Sequence, residues 1–272
     1  MSSIEIDTVS MHYTLPNGGS VHALDNVALD IRQGELVSIL GPSGCGKTTL
    51  LNIVAGFLAP SGGAVRVDGQ RVTGPGPDRG MVFQQGALFE WLSVERNVSF
   101  GPDMAGKKKS QTAARVAELL KVVGLTGFES KPVYQLSGGM QQRVALARCL
   151  ANDPGVILMD EPLGALDALT REKMQGLVLR LWKETGKTIM LITHSVEEAL
   201  LLGERLIIMA PRPGRIVKEY RLDFAEQALK QDPRKVKATQ EFVRTREEVL
   251  SMIWSMEEAI MGHDAVTETA SA

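Results

Sequence analysis

Cysteine is scarce in this sequence, and its two cysteines, Cys45 and Cys149, both fall inside longer motif stretches. Small secreted domains that depend on disulfide bonds carry many more cysteines. Two cysteines placed in this way do not make a disulfide framework. We therefore expect the protein to work in a reducing cytoplasm.

Long apolar runs are also missing. Runs such as Ala199–Leu202 and Leu206–Met209 are short and are separated by Gly203–Arg205. A membrane-spanning helix needs roughly 18 or more consecutive apolar residues, so none is predicted. The N-terminus carries the acids Glu5 and Asp7 without an apolar segment, and we expect no signal peptide.

Neither sign of charge is in excess. Thirty lysines and arginines stand against 32 aspartates and glutamates, which gives a net charge of −2 and an isoelectric point near 6.1. Surfaces that bind nucleic acid are usually strongly basic, so we expect no nucleic-acid partner. A chain of 272 residues is long enough to bury a large core, as one domain with a subdomain or as two small domains.

A glycine-rich segment at residues 41–49 separates two apolar segments, Leu36–Leu40 and Leu50–Gly56. A strand, a glycine-rich turn and a helix start in this order form a phosphate cradle, with backbone N–H groups and the helix dipole directed at the anion. Lys47 can reach the β- and γ-phosphates of a nucleotide, and Thr48 can ligate Mg²⁺. The predicted nucleotide-binding residues are Gly41, Pro42, Ser43, Gly44, Cys45, Gly46, Lys47, Thr48 and Thr49.

Alternating apolar and polar residues predict antiparallel strands at residues 4–35, with a turn at Pro16–Gly19. Val65–Gly69 continues this alternation and closes with an Asp-Gly turn. Tyr13 lies near the first turn and comes within reach of the phosphate site if the sheet folds back. It could then stack on adenine, or it could simply pack on the sheet.

Helical periodicity begins at about Glu90 and continues to Cys149. Within it, Ser137, Gly138 and Gly139 belong to the segment Leu136–Met140, which is followed by the strong helix-forming segment Gln141–Arg148. Serine and two glycines at a helix start predict a second anion-binding helix terminus. An ordinary N-cap is the alternative interpretation.

Unbroken apolar runs return at Val156–Met159, Thr188–Ile192 and Leu206–Met209, as expected for buried parallel strands. The first run ends in Asp160 and Glu161, and the second ends just before His194. The carboxyl ends of parallel strands face the crevice where such sheets bind ligands. The two acids are therefore candidates for phosphate chemistry, and His194 is either a γ-phosphate contact or a structural histidine.

The charge density rises beyond Pro211–Gly214, and an amphipathic helix is predicted near the C-terminus. We expect its apolar stripe to dock on its own domain. The stripe contains Phe242, Val249, Leu250, Ile253, Trp254 and Ile260.

Taken in order, these motifs resemble the ATP-binding subunits of ABC transporters over nearly the whole chain. Short phrases such as Gly74–Gly80, Leu181–Gly186 and Pro213–Arg215 resemble the nitrate, sulfonate and taurine importer branch. Gly41–Thr49 matches the Walker A motif, Gln84 the Q-loop, Leu136–Met140 the signature, Val156–Glu161 the Walker B motif, Ala165–Asp167 the D-loop and His194 the switch histidine, with Tyr13 in place of the adenine-stacking aromatic residue.

The resemblance implies an α/β fold of the P-loop NTPase type, with a RecA-like parallel core, an antiparallel β subdomain and an α-helical subdomain. It implies a nucleotide-binding core at residues 1–85 and 150–215, and a helical subdomain at residues 86–149 that carries the signature. Residues 216–272 are expected to form a C-terminal helical extension.

The resemblance also implies ATP and Mg²⁺ as cofactors. Thr48, Gln84 and Asp160 are expected to hold the metal, and Lys47, Glu161 and His194 are the expected catalytic residues, with Glu161 as the general base. Nucleotide contacts also follow at Tyr13 and Gln84. Ser137, Gly138, Gly139 and Asp167 are expected to act at the nucleotide of a second copy of the chain.

The implied partners are that second copy, two membrane permease subunits and, indirectly, a periplasmic or extracellular substrate-binding protein. The implied location is the cytoplasmic face of the bacterial inner membrane. Taurine or another aliphatic sulfonate is the expected substrate, nitrate is an alternative, and a soluble ABC ATPase without a transport role is the alternative of another class. Phe89, Trp91 and Leu92 either dock a permease helix or form private core.

Two residues depart from the family pattern. Met140 stands where the signature usually has glutamine, and Ser195 stands where aspartate commonly follows the histidine. Ser137, Gly138 and Gly139 are intact, so we expect phosphate binding to survive the first change. The second puts in doubt only the local support of His194.

Overall fold

A six-stranded sheet lies at the centre of the computed structural model, which describes residues 2–16, 18–84 and 87–269, with side chains up to residue 259. The predicted turn residue Asn17, the segment Gln85–Gly86 and the side chain of Ile260 fall outside that description. Ten strands are found in the described part: β1 (Ile4–Thr14), β2 (Ser20–Ile31), β3 (Leu36–Leu40), β4 (Gly62–Val67), β5 (Gln70–Arg71), β6 (Arg79–Val82), β7 (Val156–Asp160), β8 (Thr188–Thr193), β9 (Arg205–Ala210) and β10 (Arg215–Arg221).

Helices cover the central sheet and fill the region between β6 and β7. In the described residues they are α1 (Lys47–Ala55), α2 (Val94–Met104), α3 (Lys109–Val122), α4 (Gly138–Ala151), α5 (Ala168–Thr185), α6 (Val196–Leu202), α7 (Phe224–Lys230), α8 (Pro233–Lys237) and α9 (Gln240–Thr269), with a short 3₁₀ turn at Val133–Gln135. None of these helices combines the length and the apolar character that crossing a bilayer requires.

Both sheets follow the pattern predicted from the sequence. The central sheet has the order β10-β9-β3-β8-β7-β6, and its five strands from β9 to β6 are parallel. The second sheet is antiparallel, in the order β2-β1-β4-β5. Its last hairpin turns at Asp68 and Gly69, both at positive φ, as an Asp-Gly turn requires.

Buried residues on opposite faces of the central sheet belong to two separate cores. In β3, Leu36 and Leu40 pack with the helices, whereas Val37 and Ile39 pack against the antiparallel sheet and α1. Because successive side chains of a strand point to opposite faces, a run of apolar residues fits a strand that is covered on both sides. This burial fixes the carboxyl ends of β3, β7 and β8 at one edge.

The C-terminal region differs from the expectation in two respects. Residues 215–221 form strand β10, antiparallel to β9, so the helical part begins at Phe224 and not at residue 216. Phe242 and Val249 of α9 are fully buried, but Trp254 is 57% exposed and does not belong to the docked stripe. It follows Ile253 by one residue, which turns it about 100° away from the face that packs on the core.

Candidate functional site

The glycine-rich turn lies between β3 and α1, and its shape requires glycine at two positions. Gly44 and Gly46 have φ angles of +76° and +87°, in the left-handed region that favours glycine. A Cβ atom on Gly46 would also approach Leu24 Cδ2 to 2.5 Å. The turn therefore depends both on backbone freedom and on the close approach of strand β2.

Lys47 begins α1 and is held against the inner side of this turn. Its Nζ donates hydrogen bonds to the carbonyl oxygens of Gly41 at 2.7 Å and Pro42 at 3.1 Å, and it lies 3.6 Å from Cys45 Sγ. The side chain is only 8% exposed. Burial raises the pKa of the Cys45 thiol, and the neighbouring ammonium of Lys47 partly opposes this change.

Tyr13 lies at the same turn, because the β1–β2 hairpin folds back onto it. The Oη atom of Tyr13 is 3.3 Å from Thr49 Oγ1. The ring is 36% exposed. The condition that the sequence set for Tyr13, that its sheet reach the phosphate turn, is therefore met.

Glu161 contacts two other predicted site residues, Gln84 and His194. Its Oε2 atom accepts a hydrogen bond from Gln84 Nε2 at 3.0 Å and lies 2.9 Å from His194 Nδ1. These side chains follow the carboxyl ends of β6, β7 and β8. The sequence predicted that Glu161 and His194 share an edge, but it did not predict that both Gln84 and His194 would contact the carboxylate.

The backbone of Glu161 adopts an unusual conformation, with φ at +43°. Its N–H donates to the carbonyl oxygen of Ile192 at 2.9 Å, which holds the residue in place. Non-glycine residues at positive φ cost of order 1–3 kcal/mol and concentrate at functional sites. The strain directs the side chain toward the crevice instead of along the strand.

Asp160 precedes Glu161 and is half-buried at the end of β7. Burial raises its pKa, the negative charge of Glu161 raises it further, and the ammonium of Lys47 lowers it. Two adjacent carboxyl groups with one nearby cation are a favourable environment for a divalent metal ion.

The signature segment begins α4 with Ser137 as the N-cap. Ser137 Oγ accepts a hydrogen bond from the Met140 N–H at 3.4 Å. A Cβ atom on Gly139 would collide with the side chain of Thr170, so the start of α4 is in close contact with the start of α5. Met140 is half-buried against the helical core, which gives an apolar side chain at this position a structural reason.

Asp167 also caps a helix: its Oδ1 accepts from the Thr170 N–H at 3.1 Å at the start of α5. Ser195 does the same for α6, with Oγ accepting from the Glu198 N–H at 3.4 Å. Serine and aspartate are both strong N-cap residues, so the departure at Ser195 preserves the local support that the helix after His194 needs.

Sequence reasoning missed two residues behind the site. Arg171 donates from Nε to the Leu163 carbonyl at 3.4 Å and from Nη2 to the Leu166 carbonyl at 2.8 Å, which fixes the loop after Glu161. Glu198 is 2% exposed on α6. Neither residue belongs to one of the motifs that the sequence singles out.

A groove of about 360 Å³ lies on another face, between β6 and the helical region. The ring of Phe89 packs against Phe100 at 4.5 Å and Trp91 at 5.4 Å, and Arg148 lies over it. Trp91 is 79% exposed, so it is not private core, whereas Phe89 and Leu92 are half-buried. Arg148 also donates to the Ala87 carbonyl at 2.8 Å, which links α4 to the chain just after Gln84.

Comparisons with known proteins point in one direction. Residues 24–164 match the family model described as ABC transporter. Taurine import ATP-binding protein TauB of Jannaschia sp. (strain CCS1) is 70% identical over 96% of this chain and 98% of its own length. TauB of Pelagibacter ubique (strain HTCC1062) is 64% identical over 97% of this chain and 100% of its own length.

Solved structures show the same fold. A bacterial ABC transporter cassette, MJ0796, described as dimeric, superposes with a TM-score of 0.72 at 37% identity, covering 80% of this chain and 98% of that one. A second structure of it, also dimeric, is in a post-hydrolysis state with ADP and Pi. The ABC transporter component cbiO1 of Clostridium perfringens gives a TM-score of 0.73 at 28% identity, covering 90% of this chain and 98% of that one.

Proposed function

This chain belongs to the ABC transporter family of ATP-binding proteins, and on that premise we propose that it is the ATP-hydrolysing subunit of an importer for taurine or another aliphatic sulfonate. The observation that carries the proposal is the 70% identity to a taurine import ATP-binding protein over 96% of the chain. An ABC ATPase binds ATP, and this chain retains the residues of the phosphate turn, the acid pair and the signature.

We propose that Mg²⁺ is held by Thr48, Gln84 and Asp160. A hydroxyl, an amide oxygen and a carboxylate are the hard oxygen donors that this ion prefers. The raised pKa of Asp160 favours the same assignment, because a cation there would offset the two adjacent carboxylates. When bound, the ion offsets negative charge on the β- and γ-phosphates.

Glu161 is the proposed general base toward the attacking water. A base needs a fixed direction, and the hydrogen bond from Gln84 Nε2 to Glu161 Oε2 supports it. His194 reaches the same oxygen through Nδ1, which leaves Nε2 free to orient the γ-phosphate. Lys47 supplies a positive charge beside the transferred group from the start of α1.

The nucleotide site of one copy is proposed to be completed by a second copy. The Oγ of Ser137 and the amides of Gly138 and Gly139, at the N-terminus of α4, would approach the γ-phosphate bound by the partner copy. Asp167, at the start of α5, would lie at the same junction. Loss of the γ-phosphate removes these contacts, so the pair of chains can separate after hydrolysis.

We propose that coupling to the membrane runs through the groove lined by Phe89, whose ring packs against the exposed Trp91. A short helix from each of two permease subunits would dock there, and the substrate-binding protein would act on the permeases from the other side of the membrane. Arg148 and Ala87 join this groove to the segment that follows Gln84. The proposed location is therefore the cytoplasmic face of the inner membrane, as a peripheral subunit.

We further propose the division of the chain into a nucleotide-binding core, a helical subdomain and a C-terminal extension. Since α4 continues to Ala151, the junction from the helical subdomain to the core falls after that residue and not at 149–150.

The test is growth of a bacterial strain that lacks this chain, with taurine as the only sulfur source. We expect no growth on taurine, normal growth on sulfate, and rescue by the wild-type chain but not by Glu161→Gln. A strain that still grows on taurine but fails with nitrate as its only nitrogen source would contradict the taurine assignment and favour the nitrate importer.

A further inference from the structure

Three consecutive lysines, Lys107, Lys108 and Lys109, lead into α3, and the proposed catalytic cycle does not use them. Lys108 occupies the N-cap position of this 14-residue helix, and no side chain caps it. The first amides of a helix have no partner within the helix and carry partial positive charge. Among the described residues, no ion pair involves these lysines.

A cavity of about 460 Å³ opens beside this helix start. Lys107, Gln111, Thr112 and Arg115 contribute polar groups to its wall. Thr112 is only 5% exposed, and its Oγ1 atom has no hydrogen-bond partner among the described residues. Buried hydroxyl groups are nearly always satisfied, so an unpartnered one in a cavity wall points to a ligand that is polar.

The acids nearby do not cancel this positive charge. Asp153 also lines the cavity, but Lys187 Nζ contacts its carboxylate at 2.7 Å. Arg115 forms an ion pair with Glu118 at 2.9 Å on the same helix. Lys107 lines the cavity, and Lys108 and Lys109 follow it directly in the chain.

A second cavity, of about 500 Å³, shares Lys107 and Thr112 with the first and adds Lys109. Two acids, Glu95 and Asp103, line this outer cavity, and Asp103 accepts a hydrogen bond from Ser99. Arg96 also lines the outer cavity, so the charged side chains leave both cavities with a net positive charge.

The position of the inner cavity identifies the source of the anion. Gly101 and Asn152 line the groove that we assign to the permease, and their chain neighbours Pro102 and Ala151 line the cavity. The two features therefore lie side by side. A groove that receives a membrane subunit faces the bilayer, so its neighbour lies near the level of the lipid headgroups.

We propose that the cavity at the start of α3 binds the phosphate of an anionic phospholipid headgroup beside the docked permease. The location rests on the proposed transport function, whereas the binding chemistry rests on Lys107, Thr112 and the uncapped helix start. Basic residues near an anionic membrane surface each contribute about 1 kcal/mol of attraction, or about fivefold in binding.

The test is sedimentation of the full chain with vesicles. We expect at least about tenfold stronger binding to vesicles that contain phosphatidylglycerol than to vesicles of phosphatidylcholine alone, with binding that weakens as salt rises. Inorganic phosphate at millimolar concentration should not abolish it, since a free anion lacks the membrane anchor. Equal binding to both vesicles, or complete loss in phosphate, would overturn the proposal.

Variants locate the site. The triple change Lys107→Gln, Lys108→Gln and Lys109→Gln should reduce binding by about tenfold or more, whereas Lys218→Gln, Lys230→Gln and Lys235→Gln remove the same charge elsewhere and should leave most of it. Thr112→Val keeps the shape and removes the hydroxyl, and a loss of about threefold or more is expected. Equal losses in the two triple variants, or unchanged binding in Thr112→Val, would contradict this site.

The two proposals fail in different experiments. A chain that supports growth on taurine but prefers neither vesicle refutes the lipid site alone. A chain that binds phosphatidylglycerol through these lysines, in a strain that needs no such chain for growth on taurine, refutes the transport assignment.

Discussion

Glu161 illustrates how much of the site depends on single residues in unusual environments. It combines a φ of +43° with a hydrogen bond from Gln84 and a contact with His194. A residue at the end of a strand and at positive φ projects its side chain away from the sheet. The acid is thus held in one orientation before any nucleotide contacts are made, which is what a general base requires.

Glu198 leads to a prediction about pH. Burial raises its pKa to about 7, and interactions with Thr193 and Arg171 lower it only in part. Because the folded-state pKa lies above the ordinary 4.5, the contribution of Glu198 to stability is fully present at pH values below 4.5. This contribution is lost as pH rises through about 7, where the buried carboxyl ionises. Glu198→Gln should therefore change stability little near pH 5 and increase it near pH 8, by on the order of 1–3 kcal/mol relative to wild type.

Urea unfolding near the two pH values measures this difference. Glu197→Gln is the matched control, because Glu197 is exposed on the same helix and pairs with Arg246 at 3.2 Å. If the free energies of unfolding of Glu198→Gln and wild type differ by the same amount at both pH values, the pKa of Glu198 is not raised.

Ser195 leads to a second prediction at this scale. Its hydroxyl caps α6, so Ser195→Ala should lower the free energy of unfolding by about 1 kcal/mol, whereas Ser195→Asp should leave it nearly unchanged. Thermal unfolding of the three proteins provides the measurement. An aspartate variant as unstable as the alanine variant would show that the cap does not explain the departure from the family pattern.

Residue identities in short motifs were predictable, and long-range partners were not. Lys47, Asp160, Glu161 and His194 stand in fixed positions after apolar runs, so sequence alone indicated them. The contact of Gln84 with Glu161 joins residues 77 positions apart. The hydrogen bonds from Arg171 to the carbonyl oxygens of Leu163 and Leu166 depend on the path of a loop. No local pattern encodes either arrangement.

At the level of elements, helical and parallel strand segments were easier to predict than edge strands. Strands β3, β7, β8 and β9 are buried on both faces and read as unbroken apolar runs. Strand β10 lies at the sheet edge, is mostly exposed and carries charged residues, so its sequence resembles a surface segment. The prediction for Trp254 of α9 failed in the opposite direction: a large apolar residue predicts burial, but Trp254 is exposed.

The prediction at this scale concerns Trp91, which is exposed and packs against Phe89 beside the groove. Trp91→Glu should reduce taurine uptake by about tenfold or more and leave basal ATPase activity near wild type, because a charge would oppose docking of an apolar helix without touching the nucleotide site. Uptake by whole cells and ATPase activity of the purified chain are the two measurements.

Trp254→Glu is the control for this prediction, since Trp254 is also an exposed tryptophan but lies on α9. We expect it to leave uptake unchanged. Normal uptake by Trp91→Glu, or a loss of ATPase activity equal to the loss of uptake, would contradict a docking role for the groove.

At the level of the whole molecule, the phosphate turn and the signature are both proposed anion sites, and they lie at the N-termini of α1 and α4. A single nucleotide carries more negative charge than Mg²⁺ and Lys47 offset. Hydrogen-bond donors from a second site would therefore stabilise the bound phosphates further. The dimeric state of the related cassette MJ0796 supports the view that the second site comes from another copy. The central claim is that one copy holds an incomplete site.

Analytical ultracentrifugation of Glu161→Gln in saturating MgATP tests that claim most directly. Removing the proposed general base should slow hydrolysis by about 10²–10⁴-fold, so the ATP-bound pair accumulates and sediments as a dimer. Adding Ser137→Arg to the same protein should return it to the monomer, because the added side chain blocks the signature surface. A Glu161→Gln protein that stays monomeric in MgATP, while wild type hydrolyses ATP as a monomer at full rate, would contradict the account.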